Sequence, residues 1–415
     1  MAGGRSDVGV LDRFRRKHVL LLFPLGFASG LPYLLTSSTL AAWLTAAGVP
    51  LGDVGLFAIV TLPYSLKLLW APLVDRYALP LLGRRRGWLL LFQLALAAAL
   101  ATLGALGPRT TPVAFALVAV AVTFFAASQD VVSDAYRTDL LAPDERAAGT
   151  AVYVFGYRVA MLLSGGVMLV LADHLPFGRI YQLSAALVFV GVFATLVAPE
   201  PPAVRPPSTL HAAVIEPLAD WFRRPRALGL LAFVTSFRLA DLIAAAMVTP
   251  FLLSLGFSNT EIGLVNKNVG IAATIVGALG GGVLVARYGL RRPLLVFGLL
   301  TPASTLAWSA LAVAGKAHGV LFAAVAVHNL SVGLGIAALD ALILSLCNRR
   351  YGATQYALLS SAAGFCGRLA AAGSGYAALR LGWPTFFATT AAAGVFAVAL
   401  TSPSLAAATS TEEAA

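Results

Sequence analysis

Charge is scarce in this chain. Of its 415 residues, 11% are Asp, Glu, Lys or Arg and 59% are hydrophobic. A soluble domain carries about 25% charged residues, so a water-soluble globular protein is excluded. Cysteine is nearly absent. Cys347 and Cys366 are the only two, too few for a disulfide framework or a cysteine metal site, and they read as small packing residues. The sequence also lacks a nucleotide-binding glycine loop, a metal-ligand cluster and a nucleophile paired with a base. No catalytic residue, metal or cofactor is therefore expected, and the chain does not read as an enzyme.

In their place stand long apolar segments. A hydrocarbon layer about 30 Å thick takes about 20 apolar residues to cross as a helix. Twelve spans are expected, at 18–46, 53–74, 88–106, 112–139, 147–172, 180–198, 227–255, 261–286, 293–314, 319–346, 353–379 and 384–406. The fold class is thus an all-α membrane protein of twelve transmembrane helices. The first span is too long for a signal-peptide apolar region, and no small-residue cleavage pattern follows it.

The net charge of +11 would suggest nucleic acid in a soluble protein. Its distribution points elsewhere. Of 29 Lys and Arg, five lie within spans, twenty lie on the side of the N-terminus, and four (Arg109, Arg179, Lys316, Arg380) lie on the other. The positive-inside rule then puts both termini in the cytoplasm. Clusters such as Arg13, Arg15, Arg16 and Lys17 would meet anionic lipid headgroups. No nucleic-acid partner is expected, and the chain is read as a monomer.

Nine charged residues fall inside spans: Lys67, Asp130, Asp134, Arg158, Arg238, Asp241, Lys267, Asp340 and Arg368. Each costs roughly 2.5–3.5 kcal/mol at mid-bilayer, so they need a polar interior to face. The acids fall on spans 4, 7 and 10, the bases on 2, 5, 7, 8 and 11, and spans 3, 6, 9 and 12 carry none.

The chain divides near its middle into a six-helix half at 1–198, a linker at 199–226 and a second six-helix half at 227–415. The linker holds Pro199, Pro201, Pro202, Pro206 and Pro207. After them Leu210, Val214, Leu218, Trp221 and Phe222 recur at helical spacing. They suggest a short amphipathic helix on the cytoplasmic face, bent near Pro217. The halves echo each other. Asp53-Val54-Gly55-Leu56 opens span 2, and Glu261-Ile262-Gly263-Leu264 opens span 8, 208 residues later. Such a parallel repeat is expected of major facilitator transporters, with the substrate site between the halves.

Several constellations carry chemistry. Asp130 and Asp134 stand four apart on span 4 with Arg137 three further on, so all share one helix face. Two close carboxylates repel, and one of them is a proton-carrier candidate; a structural pair neutralised by Arg137 is the alternative. Arg238 and Asp241 on span 7 can pair at i, i+3, either as a simple structural pair or as one that a proton or anion opens. Lys67, Arg158, Lys267 and Arg368 give each side-wall helix a cation suited to carboxylates, or a tie that pairs with an acid and holds the helices together. His328 and Asn329 sit on span 10 with Asp340 further along. A histidine can relay protons near neutral pH, and a packing role is the alternative. The span 2–3 loop holds Asp75, Arg76, Gly83, Arg84, Arg85 and Arg86. It resembles the cytoplasmic signature loop of major facilitators, which implies a latch whose acid meets a helix N-terminus of the other half; a topology anchor is the alternative. Pro24, Gly26, Gly30 and Pro32 suit a bending span 1. Gly277, Gly280, Gly281 and Gly282 suit close packing of span 8.

LGFASGLP (25–32), GLFAIVTLPYSLKLLWAPLVDRY (55–77), LGRRRGW (82–88), SQDVVSDAYRTDLL (128–141), GYRVAMLLSGG (156–166), VNKNVGIAATIVGALGGG (265–282) and LCNRRYGATQYALLS (346–360) resemble the muropeptide permease (AmpG) family. That family is a branch of the major facilitator superfamily that also holds acetyl-CoA transporters. The resemblance implies spans 1, 4, 7 and 10 around a cavity, with 2, 5, 8 and 11 as its side walls. It implies an inner-membrane importer of anhydromuropeptides, the GlcNAc-anhydroMurNAc-peptides of peptidoglycan recycling. Alternating access by proton symport is implied as well, so the partners are an anionic sugar-peptide and protons. Asp130, Asp134, Arg158, Lys67, Lys267, Asp241 and Arg368 match family positions, and Arg238 matches a basic one. His328 stands where the family tends to have an acid, and Asp340 where it tends to be apolar. The alternative within this fold is a carrier of siderophores or drugs. A membrane-embedded transferase would need a catalytic constellation that the sequence lacks.

Overall fold

The computed structural model describes residues 16–77, 79, 82–142, 145–201, 215–224, 226–347 and 352–412. Arg13, Arg15, Leu210, Val214 and the Asp75 side chain fall outside that set. Among the described residues the chain is helical throughout, with no strand. Eleven helices are long and apolar enough to cross a membrane: Lys17–Ala46, Leu51–Leu69, Arg84–Ala105, Pro112–Leu140, Ala148–Ala172, Phe177–Val197, Ala227–Ser254, Asn259–Tyr288, Arg291–Ala314, His318–Leu346 and Trp383–Pro403. These are spans 1 to 10 and span 12. The expected span 11 is helical over Gly352–Ala371 and Ser374–Leu381, consistent with twelve traverses.

Lipid tails are as apolar as leucine, so these helices associate by close packing rather than by hydrophobic burial. The same pairings recur in both parts of the chain. Span 1 packs on 5 and 7 on 11, 3 on 6 and 9 on 12, 2 on 4 and 8 on 10. Glycine permits the closest of them. A Cβ on Gly26 or Gly30 would lie 2.1 and 2.4 Å from the Tyr153 and Tyr157 carbonyl oxygens of span 5. These glycines therefore serve helix approach, not the bending expected of them. Span 1 breaks later, at Thr36 and Ser37 between Leu22–Leu35 and Ser38–Ala46. Gly277 and Gly281 meet span 10 backbone, whereas Gly282 faces open space and Gly280 has its nearest neighbour at 3.9 Å. Only the first pair does the packing expected of all four.

Span 2 departs most from a continuous helix. It runs as Leu51–Leu56, a 3₁₀ stretch Phe57–Thr61, Pro63–Leu66, a second 3₁₀ stretch Lys67–Leu69, then Ala71–Arg76. Pro63 and Pro72 supply no N–H to the ladder, which accounts for the interruptions. Spans 5 and 8 each contain a π-helical segment, Leu162–Val167 and Ile262–Val269.

The linker helix, Glu216–Phe222, holds Pro217 in its first turn instead of bending there. Proline is well tolerated in a first turn because its missing N–H would be unpaired anyway. Trp221 is fully buried against Leu230 and Phe233 of span 7. Arg224 donates to Asp220 at 2.7 Å and Gln355 at 3.2 Å, and Gln355 donates to Asp220 at 2.7 Å. The linker helix is thus clamped to the start of span 11.

Candidate functional site

Close approaches between the first six spans and the last six cluster on the face opposite the termini. Span 2 meets span 11 there: a Cβ on Gly375 would lie 2.1 Å from the Leu51 carbonyl oxygen, and one on Gly55 2.6 Å from the Gly375 nitrogen. Tyr376 donates its hydroxyl to Asp53 at 3.1 Å. Span 5 meets span 8 through the π segments, where a Cβ on Gly263 would lie 2.6 Å from the Gly166 carbonyl oxygen. Just beyond them Asp173 accepts from the Asn259 N–H at 3.2 Å, the Asn259 side-chain amide at 2.9 Å and the Thr260 N–H at 2.7 Å. A carboxylate from one side thus holds the exposed N–H groups that begin span 8, where the helix dipole favours negative charge.

Toward the terminus side the spans part around a cavity of about 510 Å³. Asp134 and Asp340, six residues before the ends of spans 4 and 10 at Leu140 and Leu346, are exposed. The cavity accordingly opens toward the face that carries the termini.

Lys67, Asp130, Arg158, Arg238, Asp241, Lys267, His328, Asn329 and Arg368 all line it. Asp134 and Asp340 do not, so spans 4 and 7 bring an acid to the cavity wall, through Asp130 and Asp241, and span 10 does not. Asp134 instead pairs with Arg137, whose guanidinium lies 3.9 Å from the Tyr153 ring centroid. Asp340 occupies the corresponding place on the equally long span 10. Asp130 faces the cavity with an Oδ1 that no described residue partners.

Span 7 carries the ion pair that its spacing predicts, Arg238 Nη2 to Asp241 Oδ2 at 3.3 Å. The other Asp241 oxygen lies 3.7 Å from His328 Nε2. His328 Nδ1 is 3.0 Å from Ser304 Oγ, and Trp308 packs edge-on against the imidazole at 5.7 Å. Arg238, Asp241, His328 and Ser304 therefore form one chain across spans 7, 10 and 9. Asn329 is half engaged in structure: it donates to the Val325 carbonyl at 2.9 Å and accepts from Thr274 at 3.5 Å. Arg368 donates to Ser65 Oγ, joining span 11 to span 2. The Lys67 and Lys267 side chains have no hydrogen-bond or ion-pair partner among the described residues.

In the span 2–3 loop, Arg84 and Arg85 reach Asp139 at 3.4 and 2.7 Å. The Arg85 and Arg86 N–H groups donate to Glu200 at 2.8 and 3.1 Å, and Arg86 donates to the Thr195 and Leu196 carbonyls. Gly83, with φ of 86°, leaves room for that Glu200 carboxylate. These contacts join spans 3, 4 and 6 and the start of the linker, where Glu200 caps the N-terminus of span 3; the Asp75 side chain lies outside the described residues. At the start of span 1, Glu145 receives Arg16 and His18. Burial alone would raise the Glu145 carboxyl, but the Arg16 and His18 hydrogen bonds outweigh it and hold it below the usual range.

No aromatic residue is among those expected to line the cavity. Tyr33, Tyr64 and Tyr157 line the cavity, and the Tyr33 and Tyr64 rings meet edge-on at 5.7 Å. A signal was available at Tyr64, three residues before Lys67 and hence on its helical face.

Asp173 gives a pH prediction. Burial raises its carboxyl, but hydrogen bonds from Thr260 and Asn259 dominate and hold it below the usual carboxylate range. A depressed pKa means the latch is at full strength above the unlatched value, near 3.9, and weakens only as pH falls through the lower, latched value. Asp173→Ala should raise far-face accessibility by about two- to fivefold, the scale of an exposed charge at a helix terminus. With Asp173 kept, that accessibility should stay flat from pH 8 to 5, as read by impermeant labelling of a cysteine placed at Ala58 in a background lacking Cys347 and Cys366.

A family model described as Major Facilitator Superfamily matches residues 54–374. An anhydromuropeptide permease of Escherichia coli (strain K12) is 44% identical, over 92% of this chain and 78% of its own length. An uncharacterized protein of Haemophilus influenzae is 34% identical over 90% of this chain and 91% of its own. Among solved structures, a nucleoside transporter, NupG, superposes with a TM-score of 0.69 at 16% identity, covering 94% of this chain and 99% of its own. A D-xylose-proton symporter gives 0.71 at 12% identity, covering 92% and 96%. Apart from the uncharacterized protein, each of these is named as a permease, a transporter or a symporter, and none as an enzyme. This chain is a multi-pass membrane transporter that belongs to the major facilitator superfamily and, within it, to the muropeptide permease family.

Proposed function

We propose that the protein imports anhydromuropeptides across the bacterial inner membrane, from periplasm to cytoplasm, by proton symport and alternating access. One observation carries this reading. Lys67, Arg158, Lys267 and Arg368, one from each side-wall span, line a single cavity between the halves. A fixed cationic wall favours a ligand with several carboxylates. The tyrosines offer flat faces and hydroxyls to sugar rings. The 44% identical relative named as an anhydromuropeptide permease supports the same substrate class.

Residues 1–198 and 227–415 act as two rocking halves, with 199–226 joining them. Both termini lie in the cytoplasm, on the strength of the twenty-to-four bias in basic residues. The cavity then faces inward, and basic clusters on that face meet anionic headgroups. The transporter works as a monomer. Arg84, Arg85 and Arg86 brace the first half, so that it moves as one body, around the loop that holds Asp75 and Arg76.

The coupling proton belongs to the Asp241–His328 pair. Ser304 Oγ lies 2.6 Å from the Thr301 carbonyl and 3.0 Å from His328 Nδ1. A hydroxyl has one proton to donate, and the shorter contact takes it. Nδ1 then donates to Ser304, which leaves Nε2 and the Asp241 carboxylate to share a second proton. Asp130 is the next acid on the path, while Asp134 and Asp340 sit nearer the mouth.

Reconstituted vesicles test the reading. Labelled anhydromuropeptide should enter and accumulate under an inward proton gradient. Absence of uptake with and without the gradient rejects it. Uptake of a siderophore or expulsion of a drug instead would support the alternative carriers.

A further inference from the structure

A second chamber, of about 190 Å³, lies beyond the main cavity between spans 1, 2, 7 and 11. Its walls are mostly apolar, with Leu40, Leu44, Val54, Phe57, Ala58 and Ala246 among them. The two chambers meet at Tyr33, Tyr64, Lys267 and Arg368, together with the apolar Leu34, Leu242 and Ala245, all of which line both. Tyr64 is 9% exposed, and no described residue partners its hydroxyl. Lys267 is likewise unpartnered among the described residues, and Arg368 is held in place by Ser65.

The doorway therefore carries two cations and two tyrosines, and the room behind it is mostly apolar, with Thr36, Ser37, Ser38 and Thr61 as its polar part. An anion bound at Lys267 and Arg368 would stand between the two volumes. Its sugar portion fits the larger cavity, which lies within the roughly 300–1,000 Å³ typical of ligand pockets. The smaller chamber falls below that range and suits only a compact arm.

We infer that this chamber is a subsite for a short apolar arm of the substrate, with an adjoining carboxylate held at the doorway by Lys267 and Arg368. The inference rests on the proposed function, under which the arm is the start of the peptide stem and the carboxylate is the nearest free one along that stem. A disaccharide without peptide places its own lactyl carboxylate at the doorway and leaves the chamber unfilled.

Filling the chamber separates the two ligands. Ala246 and Ala58 line the small chamber and not the main cavity, so Ala246→Phe and Ala58→Leu, each in the full chain in vesicles, add bulk to the small chamber. Uptake of the peptide-bearing compound should fall at least tenfold through a raised KM. Uptake of the peptide-free disaccharide should stay unchanged. Equal loss of both compounds in both variants, or loss of neither, overturns the inference. If the unsubstituted protein takes up neither compound, the proposed substrate itself is wrong and the inference falls with it. Normal uptake of both without discrimination in the variants overturns the subsite alone.

Discussion

Asp241→Asn should abolish proton-driven accumulation while leaving exchange of substrate across the membrane. One pH unit is worth 1.36 kcal/mol, a factor of ten, for each proton coupled. The unsubstituted protein should therefore concentrate substrate about tenfold per unit of inward gradient per proton, and the variant should only equilibrate it. The reason is geometric. Asp241 is the shared partner of Arg238 at 3.3 Å and His328 at 3.7 Å. An amide there cannot take up and give back the proton that moves between carboxylate and imidazole. His328→Gln should uncouple in the same way, with Ser304→Ala milder because it removes only the group that orients the ring. Accumulation retained in both Asp241→Asn and His328→Gln would place the coupling proton elsewhere, with Asp130 next to be tested. Counterflow of labelled against unlabelled substrate serves as the control for folding and binding.

Gly375→Ala should hold the far face open and slow transport by one to two orders of magnitude. The added Cβ would lie 2.1 Å from the Leu51 carbonyl oxygen and 3.0 Å from the Gly52 Cα. These are backbone atoms that cannot rotate aside. Overpacking of this kind costs about 1–3 kcal/mol, and it falls only on the state in which spans 2 and 11 touch. Populations shift by the difference between the two states. A cysteine placed at Ala58, in a background lacking Cys347 and Cys366, should then react faster with an impermeant reagent added on the far side. Binding from that side should persist while net uptake drops. Unchanged labelling would show that the seal lies elsewhere.

The charges were the part of the site most legible in sequence. An ionised side chain inside an apolar segment has few places to go, so Lys67, Arg158, Lys267 and Arg368 could be assigned to a polar interior before any packing was known. The Arg238–Asp241 pair followed from helical spacing alone. Asp340 was harder. Read along the chain it looked like a carboxylate displaced from the position of His328, whereas the fold sets it level with Asp134 near the mouth. The link from His328 to Asp241 crosses between two helices, and nothing local announces it. The same holds for Glu200, which caps span 3 from the start of the linker, and for Asp173, which follows span 5 and caps span 8. Breaks in span 2 were readable in principle from Pro63 and Pro72. The π segments were not, because an extra residue in a turn is accommodated by tertiary contacts. Gly26 and Gly30 show the remaining ambiguity: glycine allows both bending and close approach, and only the neighbouring helix decides.

The glycine-on-backbone closure at the far face has an electrical consequence. A water-filled cavity reaching in from the terminus side conducts ions, so most of the membrane voltage drops across the thin layer between the Lys267–Arg368 doorway and the opposite surface. No ionisable group is needed where Gly55 meets Gly375, which gives that layer the character of an insulator. Each negative charge drawn inward against a negative interior works against about 2.3 kcal/mol per 100 mV, and each accompanying proton cancels one such charge. The net charge of the cargo therefore sets how many protons the voltage requires.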